Sequence, residues 1–151
     1  MKQLIRVAGF IILLDQISKW LAGKFWPSWV QLNSGGALSL VGKPEILNYG
    51  WLIWVGLVLV GWMSWLIWQS QQFPKSRLVS ESAVPLGLIW GGGMSNWLDR
   101  WLMSGVRDWL VIPGTPLKNN LADWAITLGV VWWLWQSARV KPPKPVKLST
   151  S

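Results

Sequence analysis

The chain has 151 residues, of which 52% are hydrophobic and 13% are charged, whereas an ordinary soluble domain carries roughly 25% charged residues. Its mean hydropathy is +0.33, and 14 basic against 6 acidic residues give a formal net charge of +8. The sequence contains no cysteine and no histidine, which excludes a disulfide framework, a thiol nucleophile and an imidazole base or ligand. We therefore expect an integral membrane protein that meets anionic lipid rather than nucleic acid, and whose hydrolytic chemistry, if any, rests on carboxylate, hydroxyl or lysine side chains.

The first apolar run follows Lys2 and Arg6 and predicts a transmembrane helix over about residues 4–22. A basic start and an apolar stretch are also typical of a cleaved signal peptide, but Asp15 and Lys19 interrupt this run, so we expect a retained helix. Asp15 and Lys19 are spaced i and i+4 and share one helix face. They could form a self-neutralised pair, or they could brace a nearby site.

A connecting segment rich in glycine and proline is predicted over residues 25–48, in which residues 31–40 could form a short strand or a turn. Residues 51–68 carry no charge and would span about 27 Å at ~1.5 Å per residue, close to the thickness of the hydrocarbon core. This run predicts a second transmembrane helix over about residues 50–69. A polar loop over residues 69–82 follows.

A third apolar stretch predicts a helix over about residues 83–103 that contains three consecutive glycines, residues 91–93. Small residues let a second backbone approach a membrane helix closely. Asn96, Asp99 and Arg100 are spaced i, i+3 and i+4, so they share one face of this helix. Polar and charged groups in an apolar segment are costly, and this cluster is therefore a candidate site.

A second polar loop over residues 104–118 leads to a fourth predicted helix over about residues 120–138. The fold class is thus an all-α membrane protein with four transmembrane helices and a small extracytoplasmic segment that could contain short β-strands. Residues 1–138 form one integral membrane domain, and residues 139–151 form a basic tail. Eight basic residues on the side of the termini, against four in the opposite loops, place both termini in the cytoplasm.

Four aspartates, each from a different segment, are brought by this topology toward the outer half of the membrane: Asp15, Asp99, Asp108 and Asp123. Two neighbouring carboxylates cannot both ionise cheaply, so one keeps a proton. Such a pair can activate water without a metal or a cofactor. A small proton-coupled membrane transporter would also gather acids, and a structural subunit of a larger membrane complex is a third alternative.

Five short motifs follow one another along the chain: Asp15-Gln16-Ile17-Ser18-Lys19, Asn33-Ser34-Gly35-Gly36-Ala37, the run from Gly91 to Arg100, Val106-Arg107-Asp108-Trp109, and Asn119-Asn120-Leu121-Ala122-Asp123. In this order they resemble the motifs of the signal peptidase II family, the lipoprotein signal peptidases of bacteria. The chain departs from the family pattern with Gly93 for alanine, Ser95 for glycine, and Trp109 and Asn119 each for phenylalanine. Ser95 adds bulk where close approach is expected.

The resemblance implies an intramembrane aspartic endopeptidase that cleaves a prolipoprotein before its diacylglyceryl-modified cysteine. It implies Asp108 and Asp123 as the catalytic dyad, with no metal and no cofactor. Because Asp123 would begin a helix, the helix dipole would favour its ionised form, which makes it the base and Asp108 the protonated partner. The resemblance also implies residues that bind substrate or brace the site: Asp15, Lys19, Asn33, Gly35, Asn96, Asp99, Arg100, Asn120 and Ala122.

The same resemblance sets the expected surroundings of the protein. We expect a multi-pass protein of the bacterial cell membrane whose active site faces the extracytoplasmic side. Its partners would be the lipid-modified prolipoprotein and membrane lipid. We expect a monomer and no nucleic-acid partner.

Overall fold

The computed structural model describes residues 2–34 and 82–139, together with residues 58, 61, 65 and 68. The described helices are α1 (Lys2–Phe25), a short 3-10 helix (Pro27–Trp29), α2 (Ala83–Met103) and α3 (Leu121–Arg139). The described strands are β1 (Gln31–Asn33), β2 (Val106–Asp108), β3 (Leu110–Val111) and β4 (Lys118–Asn119).

The helices predicted at 4–22, 83–103 and 120–138 are confirmed, with end points that differ by at most three residues. Short strands lie in the segments where the sequence allowed them. Of the helix predicted at 50–69, residues 58, 61, 65 and 68 are described and are helical. The rest of that helix, Gly35 and the tail beyond residue 139 lie outside the described residues.

Helix α2 lies between α1 and α3, and glycines bring the helix backbones close together. A Cβ on Gly91 would lie 2.7 Å from the carbonyl oxygen of Ala8 in α1, and a Cβ on Gly92 would lie 2.5 Å from that of Ala122 in α3. Real Cβ atoms do not approach so closely, so these two positions require glycine. Among the described residues, a Cβ on Gly93 would meet nothing within 4 Å. The predicted close approach of a second backbone is therefore confirmed for Gly91 and Gly92.

Helices α1 and α2 run in the same direction. A Cβ on Gly87, near the start of α2, would lie 2.9 Å from the carbonyl oxygen of Leu4, near the start of α1. Further along both helices, Ser95 Oγ donates a hydrogen bond to Asp15 Oδ2 at 2.7 Å. The ends of α1 and α2 thus lie at the same end of the bundle.

Helix α3 runs back along α2 in the opposite direction. Its second residue, Ala122, lies against Gly92, and Gly129 lies against Pro85 at the start of α2. The beginning of α3 therefore lies at the same end of the bundle as the ends of α1 and α2.

Two short antiparallel ladders join these helix ends. Helix α2 ends at Ser104, whose φ of 57° turns the chain into β2. Strand β2 pairs with β1, so that Asp108 lies opposite Gln31 and Val106 opposite Asn33. Strand β3 then pairs with β4, and this hairpin returns the chain to the start of α3. Residues from α1, β1, β2 and α3 consequently meet at one end of the bundle.

Within the described ranges, no helix combines the length and the apolarity that a membrane-crossing segment requires.

Candidate active site

Asp108 ends strand β2, and amide side chains hold both of its carboxylate oxygens. Asn33 Nδ2 donates to Oδ2 at 3.0 Å, and Asn120 Nδ2 donates to Oδ1 at 2.6 Å. The residue is only 3% exposed. Burial raises the pKa of Asp108 because a buried carboxylate loses its hydration; the two amide hydrogen bonds and Lys19 lower it in part, and the negative charge of Asp123 raises it. The net direction is upward.

Asp123 lies in the first turn of α3 and is held by two asparagines. Asn96 Nδ2 donates to Asp123 Oδ1 at 2.8 Å. The backbone N–H of Asp123 donates to Asn120 Oδ1 at 3.0 Å. Since the Asn120 side chain also donates to Asp108, one residue links the two predicted dyad acids. The structure brings both acids to the end of the bundle where the strands meet.

The start of α3 is capped from within its own chain and from α1. Asn120 is the N-cap residue, whose side-chain oxygen accepts from the backbone N–H three residues on. Asp15 Oδ1 accepts from the backbone N–H of Ala122 at 3.0 Å. The first N–H groups of a helix have no partner within the helix, so these acceptors satisfy them. Ala122 thus contributes to the cluster through its backbone.

Lys19 is fully buried and contacts three side chains at once. Its Nζ lies 2.6 Å from Asp15 Oδ2 and 3.2 Å from Asp99 Oδ2, and it donates to Asn96 Oδ1 at 3.0 Å. Asp15 and Lys19 therefore form the self-neutralised pair that the sequence allowed, and they also contact Asn96 in α2 and the start of α3. Because Asn96 donates to Asp123, it connects Lys19 to that acid.

Asp99 and Arg100, adjacent in α2, have different partners. Asp99 is fully buried and pairs with Lys19 and with Arg107, whose NH2 lies 2.6 Å from Asp99 Oδ1. Arg100 NH1 donates to the backbone carbonyl of Asn96 at 3.2 Å. Its Nε is buried and has no hydrogen-bond partner among the described residues. Arg100 therefore keeps donor capacity beside the carboxylates.

Three polar residues of the cluster were not singled out from the sequence as site residues: Gln16, Ser95 and Arg107. Gln16 Nε2 donates to Asp99 Oδ1 at 2.9 Å, and its Oε1 accepts from Arg107 NH2 at 2.7 Å. All three lie inside the family motifs of the sequence, and this position was the signal that could have identified them as site residues. The spacing of Arg107 from Asp99 has no helical period, because a left-handed turn and a strand separate them.

Ser95 stands where the family pattern has glycine, and its hydroxyl is fully buried between α1 and α2. Ser95 Oγ donates to Asp15 Oδ2 and accepts from Gln16 Nε2 at 2.9 Å. The Ser95 side chain, which was expected to add bulk, thus links α2 to α1 by hydrogen bonds.

Trp109 and Asn119, the other two departures beside the dyad, pair through their backbones. The N–H of Trp109 donates to the carbonyl of Asn119 at 2.9 Å. This bond continues the ladder of β3 and β4 and keeps the hairpin registered with the start of α3. Among the described residues, Trp109 Nε1 and Asn119 Oδ1 are buried without hydrogen-bond partners.

The carboxylates of this cluster are held by amides and cations. Among the described residues, no three acidic side chains gather as ligands of a metal ion would. Asn120 donates to the Asp108 carboxylate and accepts from the backbone N–H of Asp123, whose own carboxylate accepts from Asn96. Two carboxyl groups placed at one end of a bundle can hold a proton on one acid and accept a proton on the other. This is the chemistry needed to activate a water molecule.

The chain is similar in sequence and in fold to known proteins. The model of the family described as Signal peptidase (SPase) II matches residues 7–139. A protein named lipoprotein signal peptidase from Rhizorhabdus wittichii is 32% identical, over 91% of this chain and 87% of its own length. Another of that name, from a Synechocystis species, is 33% identical over 88% of this chain and 84% of its own length.

Two solved structures share the fold. Each is described as a bacterial membrane enzyme structure obtained by the in meso method. The first has a TM-score of 0.67 at 20% identity and covers 97% of this chain and 96% of its own. The second has a TM-score of 0.68 at 18% identity and covers 93% of this chain and 96% of its own.

Proposed function

This chain belongs to the signal peptidase II family, and from that premise we propose that it is an aspartic endopeptidase with Asp108 and Asp123 as its catalytic dyad. It is a bacterial membrane peptidase that removes signal peptides from prolipoproteins. The family does not by itself say which side chains break the peptide bond. The observation that carries the proposal is the pair of contacts made by Asn120, whose amide nitrogen donates to Asp108 Oδ1 and whose carbonyl oxygen accepts from the backbone N–H of Asp123.

The charges around the dyad support the sharing of one proton. Four aspartates of the cluster face three cations: Asp15, Asp99, Asp108 and Asp123 against Lys19, Arg100 and Arg107. Ion clusters in an apolar surrounding are costly unless their charges balance. One proton on the dyad would make the cluster neutral. The raised pKa of Asp108, caused by burial, supports a proton held on the dyad.

In the mechanism we propose, a water molecule lies between the dyad and the scissile carbonyl. Ionised Asp123 takes a proton from the water, and the resulting hydroxide attacks the carbonyl carbon. Asp108 donates its proton to the carbonyl oxygen, which gives a neutral tetrahedral diol. When the C–N bond breaks, Asp123 passes its proton to the leaving nitrogen, and Asp108 takes the proton back from the diol. The hydrogen bonds of the described residues use Oδ1 of Asp123, which leaves Oδ2 for the water.

The surrounding residues would position these two acids rather than react. Asn33, Asn96 and Asn120 hold the carboxylates by direct hydrogen bonds. Asp15 and Lys19 fix the start of α3 and the orientation of Asn96, and Asp99 anchors the cluster from α2. Arg100 would donate to a substrate carbonyl through its unpartnered Nε. Gly35 lies outside the described residues and remains a predicted contributor by motif alone.

We further propose the four-span topology with the dyad at the extracytoplasmic side. Helices α1 and α2 run in the same direction, and residues 58, 61, 65 and 68 between them are helical, which supports the additional span that the sequence predicts at 50–69. Large apolar side chains lie exposed along the helices, Phe10, Ile17 and Val131 among them, as lipid-facing residues would. The substrate would then enter from the lipid with its diacylglyceryl group, and the enzyme would act as a monomer.

The transporter alternative gains no support from the comparisons, because the matching relatives are named lipoprotein signal peptidases. A purely structural role would account for the helix cap at Asn120 but not for membership of a peptidase family. The peptidase interpretation accounts for the cap and for the family membership.

The decisive experiment is cleavage of a diacylglyceryl-modified prolipoprotein by the purified chain in lipid, in the presence of EDTA. We expect cleavage before the lipidated cysteine that persists in EDTA and is lost in Asp108→Asn and in Asp123→Asn. The matched control is Glu81→Gln, which removes a carboxylate from a predicted cytoplasmic loop. Cleavage that survives either dyad substitution, or that EDTA abolishes, would overturn the carboxylate dyad.

A further inference from the structure

Arg107, the residue before Asp108, holds strand β2 against two helices. Its backbone N–H donates to Asp99 Oδ2 at 3.0 Å, and its Nε donates to the same oxygen at 3.3 Å. Its NH2 donates to Asp99 Oδ1 at 2.6 Å and to Gln16 Oε1 at 2.7 Å. The guanidinium thus engages both oxygens of one buried carboxylate and also reaches α1. The planar fork of arginine suits this geometry, which lysine cannot reproduce.

This contact determines where Asp108 points. Successive side chains of an extended strand leave it on opposite faces. With Arg107 fixed toward Asp99 and Gln16, Asp108 is directed to the other face, where Asn33 and Asn120 hold it. Strand β2 has three residues and pairs with a strand of three. So short a ladder has little stability of its own, and side-chain anchors have to fix its position.

The ion pair between Arg107 and Asp99 also balances a buried negative charge. Asp99 is fully buried, and its two cationic partners are Arg107 and Lys19. Lys19 also holds Asp15 at 2.6 Å. Without Arg107, two buried carboxylates would share one ammonium group. Asp99 would then lose one of its two cationic partners, and strand β2 would lose the contact that holds it on Asp99.

We infer that Arg107 is a positioning residue, which orients Asp108 for the reaction by fixing β2 on Asp99 and Gln16. The inference rests on the proposed role of Asp108 as a member of the dyad. Arg107 touches neither the dyad carboxylates nor the reacting atoms in this role. It acts through the direction of its neighbour's side chain.

The test compares Arg107→Gln, Arg107→Lys and the double variant Asp99→Asn/Arg107→Gln with wild type, as full-length chains in lipid. Cleavage rates are expressed per folded molecule, taken from the monodisperse fraction after size exclusion. Lys24→Gln is the matched control, since Lys24 is an exposed basic residue of α1 outside the cluster. Asp108→Asn is run in parallel.

We expect Arg107→Gln to lower kcat by about tenfold to a hundredfold with KM changed by less than about threefold, because a small misplacement of a catalytic group costs rate rather than binding. Arg107→Lys should recover part of that loss, since an ammonium keeps the charge and one of the contacts. The double variant should stay as slow as Arg107→Gln, because removing the unpaired charge does not restore the anchor. Lys24→Gln should match wild type.

Recovery of the wild-type kcat in the double variant would mean that Arg107 only neutralises Asp99, and would overturn the inference. A kcat of Arg107→Gln within twofold of wild type, or an effect on KM alone, would do the same. If Arg107→Gln does not fold, Arg107→Lys carries the test, and an unchanged kcat there contradicts the inference. If Asp108→Asn remains active, it is the dyad assignment that fails; if Asp108→Asn is inactive and Arg107→Gln is not impaired, the positioning role alone fails.

Discussion

Asn120 donates a hydrogen bond from Nδ2 to Oδ1 of Asp108 at 2.6 Å, the shortest of the amide contacts around the dyad. Its other side-chain atom, Oδ1, accepts from the backbone N–H of Asp123. One amide side chain therefore sets the start of α3 and the position of Asp108 together. Asn120 therefore has two roles, as the cap of α3 and as a hydrogen-bond donor to Asp108. A substitution at this residue can remove one role and keep the other.

The substitution Asn120→Asp should lower cleavage by at least about tenfold while the helix content measured by circular dichroism stays unchanged. Aspartate is as good an N-cap as asparagine and favours the helix dipole, so α3 keeps its start. An ionised aspartate cannot donate to Asp108, and it adds a negative charge beside the one that the proposed dyad carries. Asn120→Ala, which loses the cap too, should in addition cost about 1 kcal/mol of stability. Near-normal activity of Asn120→Asp would contradict the bridging role.

The raised pKa of Asp108 predicts how its removal affects stability at different pH values. The folded chain binds this proton more tightly than the unfolded chain, so the stability from the protonated carboxyl is present at low pH and is lost as pH rises through the folded-state pKa. Asp108→Asn cannot ionise and avoids that loss. We expect the melting temperature of Asp108→Asn minus that of wild type to increase as the pH is raised from about 4, the ordinary pKa of an aspartate. A difference that stays flat or falls with pH would show that Asp108 ionises without cost.

Replacing Lys19 by methionine should destabilise the protein by about 3–5 kcal/mol, because it leaves buried carboxylates without compensation. The readout is thermal unfolding in detergent. Lys24→Met is the control: Lys24 is exposed, lies 4.9 Å from the ring centroid of Trp20, and should cost less than about 1 kcal/mol. Adding Asp15→Asn to Lys19→Met should return part of the loss. Equal effects of the two lysine substitutions would contradict the buried network.

Gly92→Ala and Gly93→Ala form a matched pair on consecutive residues of α2. A Cβ on Gly92 would meet the backbone oxygen of Ala122 at 2.5 Å, and backbone cannot move aside as a flexible side chain can. We expect Gly92→Ala to cost about 1–3 kcal/mol and to lower activity, because Ala122 precedes Asp123. Gly93→Ala, whose Cβ would meet none of the described residues within 4 Å, should be neutral or stabilise by up to about 1 kcal/mol through helix propensity. Similar losses in both variants would argue against this helix contact.

Much of the fold follows from local pattern. The apolar runs predicted the three described helices to within three residues, because helix formation depends on neighbours along the chain. The short strands were left as an alternative to a turn, since segments of two or three residues are defined by their pairing partners rather than by their own sequence. Glycine spacing predicted close helix contacts but could not separate Gly92 from Gly93, because that depends on which face meets α3.

The candidate site was likewise predicted from the sequence only in part. The lack of histidine and cysteine left carboxylate, hydroxyl and lysine side chains as candidates, and the resemblance of the five motifs pointed to Asp108 and Asp123 before any fold was available. The sequence paired Asp15 with Lys19 because both lie on one helix face. It gave no reason to pair Asp99 with Arg107, nor to read Ser95 as a hydrogen-bonding bridge to Asp15.

The sequence by itself determined the three described helices and the family motifs, since these depend on residue identity and on spacing within single segments. The tertiary structure decided the partners: Asp15 with the start of α3, Asn96 between Lys19 and Asp123, and Arg107 on Asp99. These contacts join residues far apart in the chain. They exist because packing at glycines brings α1, α2 and α3 together at one end of the bundle, and because buried charges there have to find partners.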